Sequence, residues 1–584
     1  MDLPQKYFEK KQRLVVNNLN FKIGGEAGFG IMAAGIAFAK IATRSGLFIH
    51  GYVEYPSLVR GGHNTYQIRV SKCLNPPLEK TIDLLVALNK ESVELEMENL
   101  SDYSAIIFDP YDFKLTEDDF KKKVLLIPVP LERFALEKGS GKLMINTVAI
   151  GAVVSVLGLD FEIFKTVLID AFFGKSKEIV NSNIEAAKAG FDFAKKYTDS
   201  FHFKLEKIES SQKMLLSGNE AMALGTIAAG CKFYASYPMT PSSSILHFLA
   251  VKQVDADMIV KHAADEIEAA NMAIGASFAG VRAQIGTSGG GFALMAEAYG
   301  LAGMTETPLV VIDVQRPGPA TGLPTWTGQG DLDFVLSAGQ DEFPRIVIAP
   351  GDVREAFEEI INAHNLAQKY QTTVMVLSDK YLGESVWSEE FFDDDVKIDK
   401  GNLFDGESDF KRYEFAESGV SARSLPGQKG GKFVANSYEH DEFGFTTESS
   451  DTRQKMMKKR MVKLETLAEN LPHPVLYGED EAQVTLVSWG STKLACLSAL
   501  EILKAEGVKA NLLHIVYINP FPKEKVEEVL SKAKNTLICE GNYSGQMANL
   551  IRDKTGIEIP NKFLKFDGRP IYPEEIVEAV RKVI

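Results

Sequence analysis

The chain has 584 residues, enough for three or four domains of ordinary size. Hydrophobic residues make up 45% of it and charged residues 24%, the balance of a globular, soluble chain and not of a disordered one. The net charge of -15 argues against a nucleic-acid partner, and no apolar run reaches the roughly 18 residues that a membrane-spanning helix needs.

The opening stretch, MDLPQKYFEKKQRLVV, carries acids and lacks an apolar core followed by a small-residue cleavage site. It does not read as a signal peptide, and a cytoplasmic protein is expected. Cys73, Cys231, Cys496 and Cys539 stand singly, without the close spacing of a zinc or iron–sulfur ligand set. So few cysteines in so long a chain do not make a disulfide framework either. No metal site is expected in the chain itself, so a cluster it works with would belong to a partner.

In chain order, an apolar strand, Phe21 to Ile23, leads into GGEAGFGIMAAG and a helix ending near Gly46. Gly28-x-Gly30-x-x-Ala33 matches the dinucleotide-binding fingerprint in a strand–turn–helix setting, and Glu54 follows at the distance of a ribose-binding acid. Such glycines let backbone N–H groups approach a phosphate, but they serve equally as packing between strand and helix. PSLVRGGHNTYQIRVS comes next, with Arg60 and His63 flanking Gly61-Gly62. Strands TIDLLVAL, SAIIFD and KVLLIPV follow, then a helical stretch from Asn146 to Ala194. Alternating strands and helices predict a parallel α/β sheet. This first domain is expected over 19–198 and a polar linker over 199–213.

A second α/β unit is expected over 214–390. It carries YPMTPSSSI, a helix read from Lys261 to Gly280, GTSGGGFALMAEA, the buried strand PLVVIDV and the loop QRPGPATGLPTWTGQGDL. Ligand sites in such sheets lie beyond the carboxyl ends of the strands, where three of these stretches fall, so they should converge on one crevice. Glu266 is the odd residue of the helix. Its helical neighbours are Ala263, Ala269, Ala270 and Ala273, a closely packable strip, while Asp265 and Glu268 read as solvated charges. Over 391–480 the strand–helix rhythm is lost, and His440, between Glu439 and Asp441, suits a hydrogen-bonded or solvated histidine better than a metal ligand. A last α/β domain over 481–584 shows no convergent ionisable cluster, and its expected role is assembly.

With these motifs in this order, the chain resembles the fused gamma–alpha subunit of the 2-oxoacid:ferredoxin oxidoreductases, the two-subunit type often assigned to 2-oxoglutarate. GGEAGFG with SLVRGGHNTYQIRVS is similar to the gamma part. YPMTPSSSI, DEIEAANMAIGASFAG, TSGGGFALMAEA and RPGPATGLPT are similar to the thiamine-diphosphate pyrimidine-binding domain. SGVSARSLPG with EHDEFG, and then VSWGST, NPFP, EGNYSGQ and DGRPIYP, resemble the remainder, which ends in a transketolase C-terminal-like domain.

The resemblance implies several parallel-sheet α/β domains and an enzyme of CoA-dependent oxidative decarboxylation. Its expected substrate is a 2-oxoacid, 2-oxoglutarate to succinyl-CoA before pyruvate or a branched-chain or aryl oxoacid, and its reaction can run in reverse. It further implies that Glu266 is the glutamate that hydrogen-bonds the cofactor's aminopyrimidine ring, with Tyr237 and Pro238 on the thiamine side. Thr240, Arg316 and Thr325 match the residues around the substrate carboxylate, for which a bidentate arginine is well suited. Gly28 and Gly30 then serve a phosphate, coenzyme A or subunit packing; a nucleotide-dependent oxidoreductase using that loop is the other reading.

No diphosphate–magnesium motif and no cluster cysteines are present. A beta subunit is therefore expected to bring Mg2+ and a [4Fe-4S] cluster and to share thiamine diphosphate, in a heterotetramer of two alpha and two beta chains that reduces ferredoxin. The chain departs from the family pattern at TSGGG (for TSGPG), RPGPAT (for RGGPST), TWTGQ (for a TRTEQ-like run) and Ser421-Ala422-Arg423 (for SPR). These departures bear on substrate choice.

Overall fold

The computed structural model describes residues 14–57, 61–139, 141–393, 395–406 and 409–584. Arg60 and the first thirteen residues lie outside them. The chain divides into two units: one takes the described residues to Leu216 together with 385–391, and the other takes 217–384 and 392–584.

The first unit is an eight-stranded sheet. Its strands run in the order Val124–Pro128, Leu100–Phe108, Ile82–Ala87, Asn18–Gly25, Asn64–Ser71, Phe48–Glu54, Val386–Glu389 and Met214–Ser217. The first four are mutually parallel, as alternation with helices predicts. Asn64–Ser71 runs antiparallel to Asn18–Gly25 on one side and to Phe48–Glu54 on the other, so the sheet is mixed. The reason is the connection: only nine residues join Glu54 to Asn64, and a parallel neighbour needs a longer crossover. An apolar core of Leu19, Phe21, Ile23, Phe38 and Ile68 with the helix Ile145–Val156 fills the sheet's covered face.

The second unit holds two sheets. In the seven-stranded one, Ile259–His262, Phe233–Ser236, Ala283–Thr287, Leu309–Gln315, Thr373–Asp379 and Arg345–Ile348 are parallel throughout. The C-terminal segment supplies the antiparallel edge strand, Tyr517–Asn519. The five-stranded sheet is centred on Val484–Trp489, with Ala510–Ile515 and Thr536–Glu540 parallel to it. One core joins the two sheets, since Val347 and Met375 cluster with Val487, Trp489 and Leu513. Residues 395–406 and 409–449 contain only isolated bridges, and the helix Ser450–Ala468 follows. No described helix is long and apolar enough to cross a membrane.

Candidate active site

The helix that bears Glu266 is shorter than its composition suggests. Lys261 and His262 end the strand Ile259–His262, and the helix runs Glu266–Phe278. Asp265 stops it from starting earlier: its side chain accepts from the Glu268 N–H at 2.7 Å, which makes it the N-cap. Glu266 is thus the first residue of the helix. Ala269, Ala270 and Ala273 are buried along the same strip, and Ala263 just before it. Glu266 itself is only 3% exposed, and its Oε1 has no hydrogen-bond partner among the described residues. Gly291, in the first turn of the helix Gly289–Met304, gives it room: a Cβ there would stand 2.8 Å from Oε1 and 2.9 Å from Cγ.

The three loops do come together. Phe233–Ser236, Ala283–Thr287 and Leu309–Gln315 are adjacent parallel strands, so the segments leaving their carboxyl ends share one edge of the sheet. Arg316 Nη1 donates to the Thr240 carbonyl at 2.6 Å and links the YPMTP turn to the RPGPAT loop. Burial lowers the Arg316 pKa, while Asp331 and Asp313 oppose the shift. Thr325 is 6% exposed with its Oγ1 unpartnered among the described residues. Tyr237 is 39% exposed, its ring 6.3 Å from that of His262, and Pro238 is half-buried.

Residues that the sequence reading passed over hold this edge in place. Asn219, fully buried at the start of the helix Gly218–Ala228, donates to the Pro241 carbonyl at 2.9 Å and to Ser244 Oγ at 2.8 Å, fixing the YPMTP turn. Gln329 clamps the other loop. Its N–H donates to the Gly541 carbonyl at 2.8 Å, its Oε1 accepts from the Gly541 N–H at 2.8 Å, and its Nε2 donates to the Trp489 carbonyl at 3.1 Å. Thr327 donates its N–H to the Gly568 carbonyl, and the Arg569 guanidinium lies 3.3 Å from the Trp326 ring centroid. The C-terminal domain therefore grips the loop between Thr325 and Gly330. The EGN and DGRP motifs carry that signal in the sequence: Gly541 and Gly568 act through their backbone, Asn542 through its side-chain amide to the Gln329 carbonyl at 3.1 Å, and Arg569 through its stack on Trp326.

The departures from the family pattern fall where the packing accommodates them. Gly290, the proline position of TSGPG, is the open one of the three glycines, with its nearest neighbour 3.7 Å away, and it sits in the helix's first turn, where proline is tolerated. Pro317 and Gly328, both departures, face each other: a Cβ on Gly328 would stand 3.3 Å from Pro317 Cγ. Ser421 and Arg423 are buried and tied to the Arg412 carbonyl and to Gln368. His440 is 1% exposed, with Nδ1 3.0 Å from the Tyr438 carbonyl, so it is hydrogen-bonded and not solvated. Among the described residues, no group of three or more His, Cys, Asp or Glu is arranged to hold a metal ion.

In the first unit, Gly28 and Gly30 have positive φ, of 100° and 70°, and Gly30 caps the helix Ile31–Arg44. Asn146 Nδ2 donates to the Gly30 carbonyl at 3.1 Å. Glu54 ends a strand separated from Asn18–Gly25 by Asn64–Ser71, whereas a dinucleotide fold places the ribose acid on the next strand over. The fingerprint is present without the topology that gives it its meaning. Nearby, Glu96 bonds Lys22 at 2.7 Å and His63 at 3.1 Å; burial alone would raise its pKa, but these partners hold it at about 2.

At this edge of the parallel sheet stands a buried glutamate whose Oε1 has no partner among the described residues, beside a glycine, in an α/β domain of the thiamine-diphosphate-binding class. A family model described as "Pyruvate flavodoxin/ferredoxin oxidoreductase, thiamine diP-bdg" matches residues 224–459. Two more, "Pyruvate ferredoxin/flavodoxin oxidoreductase" and "Pyruvate:ferredoxin oxidoreductase core domain II", match 20–193 and 482–576. The 2-oxoacid:ferredoxin oxidoreductase subunit alpha of Saccharolobus solfataricus is 33% identical over 97% of this chain and 98% of its own length. The 2-oxoglutarate synthase subunit KorA of Methanothermobacter marburgensis is 31% identical over 63% of this chain and 99% of its own. Among solved structures, a 2-oxoglutarate:ferredoxin oxidoreductase from Magnetococcus marinus, with 2-oxoglutarate, coenzyme A and succinyl-CoA bound, aligns with a TM-score of 0.93 at 32% identity, over 97% of this chain and 99% of that one. The chain belongs to the 2-oxoacid:ferredoxin oxidoreductases, as an alpha subunit of that enzyme family.

Proposed function

We propose that the chain serves a CoA-dependent oxidative decarboxylation of 2-oxoglutarate to succinyl-CoA, with ferredoxin as electron acceptor and reverse carboxylation open to it. The Magnetococcus marinus structure and the KorA relatives support that substrate. Residues 214–390 carry the pyrimidine-binding role, 19–198 the gamma-like role and 481–584 the transketolase C-terminal-like role, joined by 199–213 and 391–480. A beta subunit completes the site with Mg2+ and a [4Fe-4S] cluster, in a heterotetramer of two alpha and two beta chains.

One observation carries the reading: the buried Oε1 of Glu266 has no partner among the described residues, while Gly291 keeps the space beside it open. A buried polar atom is normally paired, and an aminopyrimidine ring offers the missing donor. Thiamine diphosphate, when bound, supplies the carbanion chemistry. Glu266 holds the ring and handles its proton, with Tyr237 and Pro238 beside it. Arg316, fixed by the Thr240 carbonyl, meets the substrate carboxylate, and Thr325 offers a hydroxyl. Gly28 and Gly30 present backbone N–H groups to a phosphate such as that of coenzyme A.

The test is reconstitution with the beta subunit and viologen reduction with a panel of 2-oxoacids. Glu266→Gln is expected to lose about 10²–10⁴-fold in kcat. Arg316→Ala is expected to raise KM about 100-fold, as one buried charge loses its partner. Wild-type activity in Glu266→Gln would sink the assignment, and a preference for pyruvate would move the substrate.

A further inference from the structure

Close to Arg316 lies a pair of acids that the proposed chemistry leaves idle. Asp313 belongs to the strand Leu309–Gln315, is 0% exposed, and has neither carboxyl oxygen hydrogen-bonded among the described residues. Asp331, at the far end of the same loop, donates its N–H to Gln315 Oε1 at 3.0 Å, but its buried Oδ2 is also unpartnered among the described residues. Gly289 brings the start of a sixteen-residue helix against it: a Cβ there would stand 2.7 Å from the Asp331 Cγ.

The charges around the pair are few. Arg316 acts on both acids, and no ion pair within 4.0 Å joins it to either among the described residues. The first turn of the Gly289 helix carries no acid. On the neighbouring strand, Asp379 is turned to Thr327 and the Leu382 N–H. Glu266 stands on the far side, at Gly291. The Thr240 turn adds no charge.

Two carboxyls buried together cannot both ionise cheaply. Burial first, then Asp331, pushes the Asp313 carboxyl far above the usual carboxylate range, and burial raises Asp331 to about 6. With Asp313 protonated, Asp331 and Arg316 balance each other. A carboxylate arriving at Arg316 adds a second negative charge to that balance and raises the proton affinity of its acid neighbour. We infer that capture of a substrate carboxylate at Arg316 takes up one proton from solvent onto the Asp313–Asp331 pair, with Asp331 as the acceptor. The inference rests on the reading of Arg316 as the carboxylate site. By linkage, affinity is greatest where Asp331 is already protonated. It falls as pH rises above that point and levels off once Asp331 is ionised even with substrate bound. Asp331 is a positioning residue here, since it acts through Arg316.

The test uses the reconstituted complex with 2-oxoglutarate from about pH 5.5 to 8.5. In the wild type, KM should rise with pH through neutrality, by at most tenfold per unit, the limit for one proton. In Asp331→Asn the profile should go flat, with KM at the alkaline end several-fold below wild type. A second readout does not depend on turnover: calorimetric titration with glutarate, in buffers of different ionisation enthalpy, counts the protons taken up. The wild type should take up a fraction of one proton near neutrality and Asp331→Asn none. Asp313→Asn keeps a neutral side chain beside Asp331 and should leave the count near the wild-type value, which assigns the proton to Asp331. An unchanged KM profile and proton count in Asp331→Asn, with Arg316→Ala still raising KM, overturn the inference alone; so does loss of the count in Asp313→Asn with Asp331→Asn unchanged. An unchanged KM in Arg316→Ala overturns the carboxylate site and the inference with it.

Discussion

Glu266 and Glu306 are both buried glutamates in the second unit, 3% and 1% exposed, and they are opposites. Glu306 is saturated. Lys459 Nζ bonds both its oxygens at 2.7 and 2.8 Å, Lys463 Nζ adds a bond at 2.5 Å, and Arg412 takes its backbone carbonyl at 2.8 Å. Burial alone would raise the Glu306 pKa, but Lys459, Lys463 and Arg412 hold it well below the usual range. Glu266 has a glycine where Glu306 has cations. A buried acid with every partner inside the chain is a pin, here joining the irregular 391–480 excursion and its helix to the parallel sheet. Glu266, whose Oε1 has no partner among the described residues, pins nothing through that atom.

That contrast can be broken most directly through stability. Glu306→Gln leaves Lys459 and Lys463 buried without their counter-charge and should cost about 3–5 kcal/mol in urea unfolding. Glu266→Gln removes an acid whose Oε1 has no partner among the described residues and should change unfolding by less than about 1 kcal/mol while abolishing most turnover. Comparable losses of stability in both variants would erase the distinction. The same contrast should show in acid. Glu306 has a depressed pKa in the folded state, so its contribution is complete above the ordinary glutamate range and is lost as pH falls through and below it. The gap between wild type and Glu306→Gln in melting temperature should therefore narrow toward low pH.

Smaller effects sharpen the picture at the loop. Gln329→Ala leaves the Gly541 N–H and the Trp489 carbonyl without their side-chain partner, a cost of about 1–3 kcal/mol. About tenfold of it should appear in kcat/KM, because the same loop carries Arg316 and Thr325; a loss confined to melting temperature would make the clamp purely structural. Smallest is Trp326→Ala. It removes the Arg569 stack, worth about 0.5–1 kcal/mol, and should shift substrate preference by no more than a fewfold.

Much of the architecture was legible because it is local. Strand–helix alternation reads directly from periodicity, and the edge where three loops meet follows from strands being parallel and adjacent. The alanine strip beside Glu266 was equally plain, although the helix begins five residues later than composition implied, since capping by Asp265 is a matter of backbone geometry. Other features were hidden by distance. Whether Gly28-x-Gly30-x-x-Ala33 means a nucleotide depends on which strand lies next to Asn18–Gly25, and that neighbour is the antiparallel Asn64–Ser71.

By itself, the sequence determined the kinds of element, their order, and the few residues whose chemistry is unusual for their setting. It could not decide which buried acids are paid off and which are not. Glu306 finds Lys459 and Lys463 more than 150 positions away, Gln329 finds Gly541 more than 200 away, and Asp331 meets Gln315 only because a loop folds back. Hydrogen bonds and ion pairs act over a few ångströms, so their partners exist only once the chain has closed. Only the tertiary structure shows that, among the described residues, Glu266 Oε1 has none.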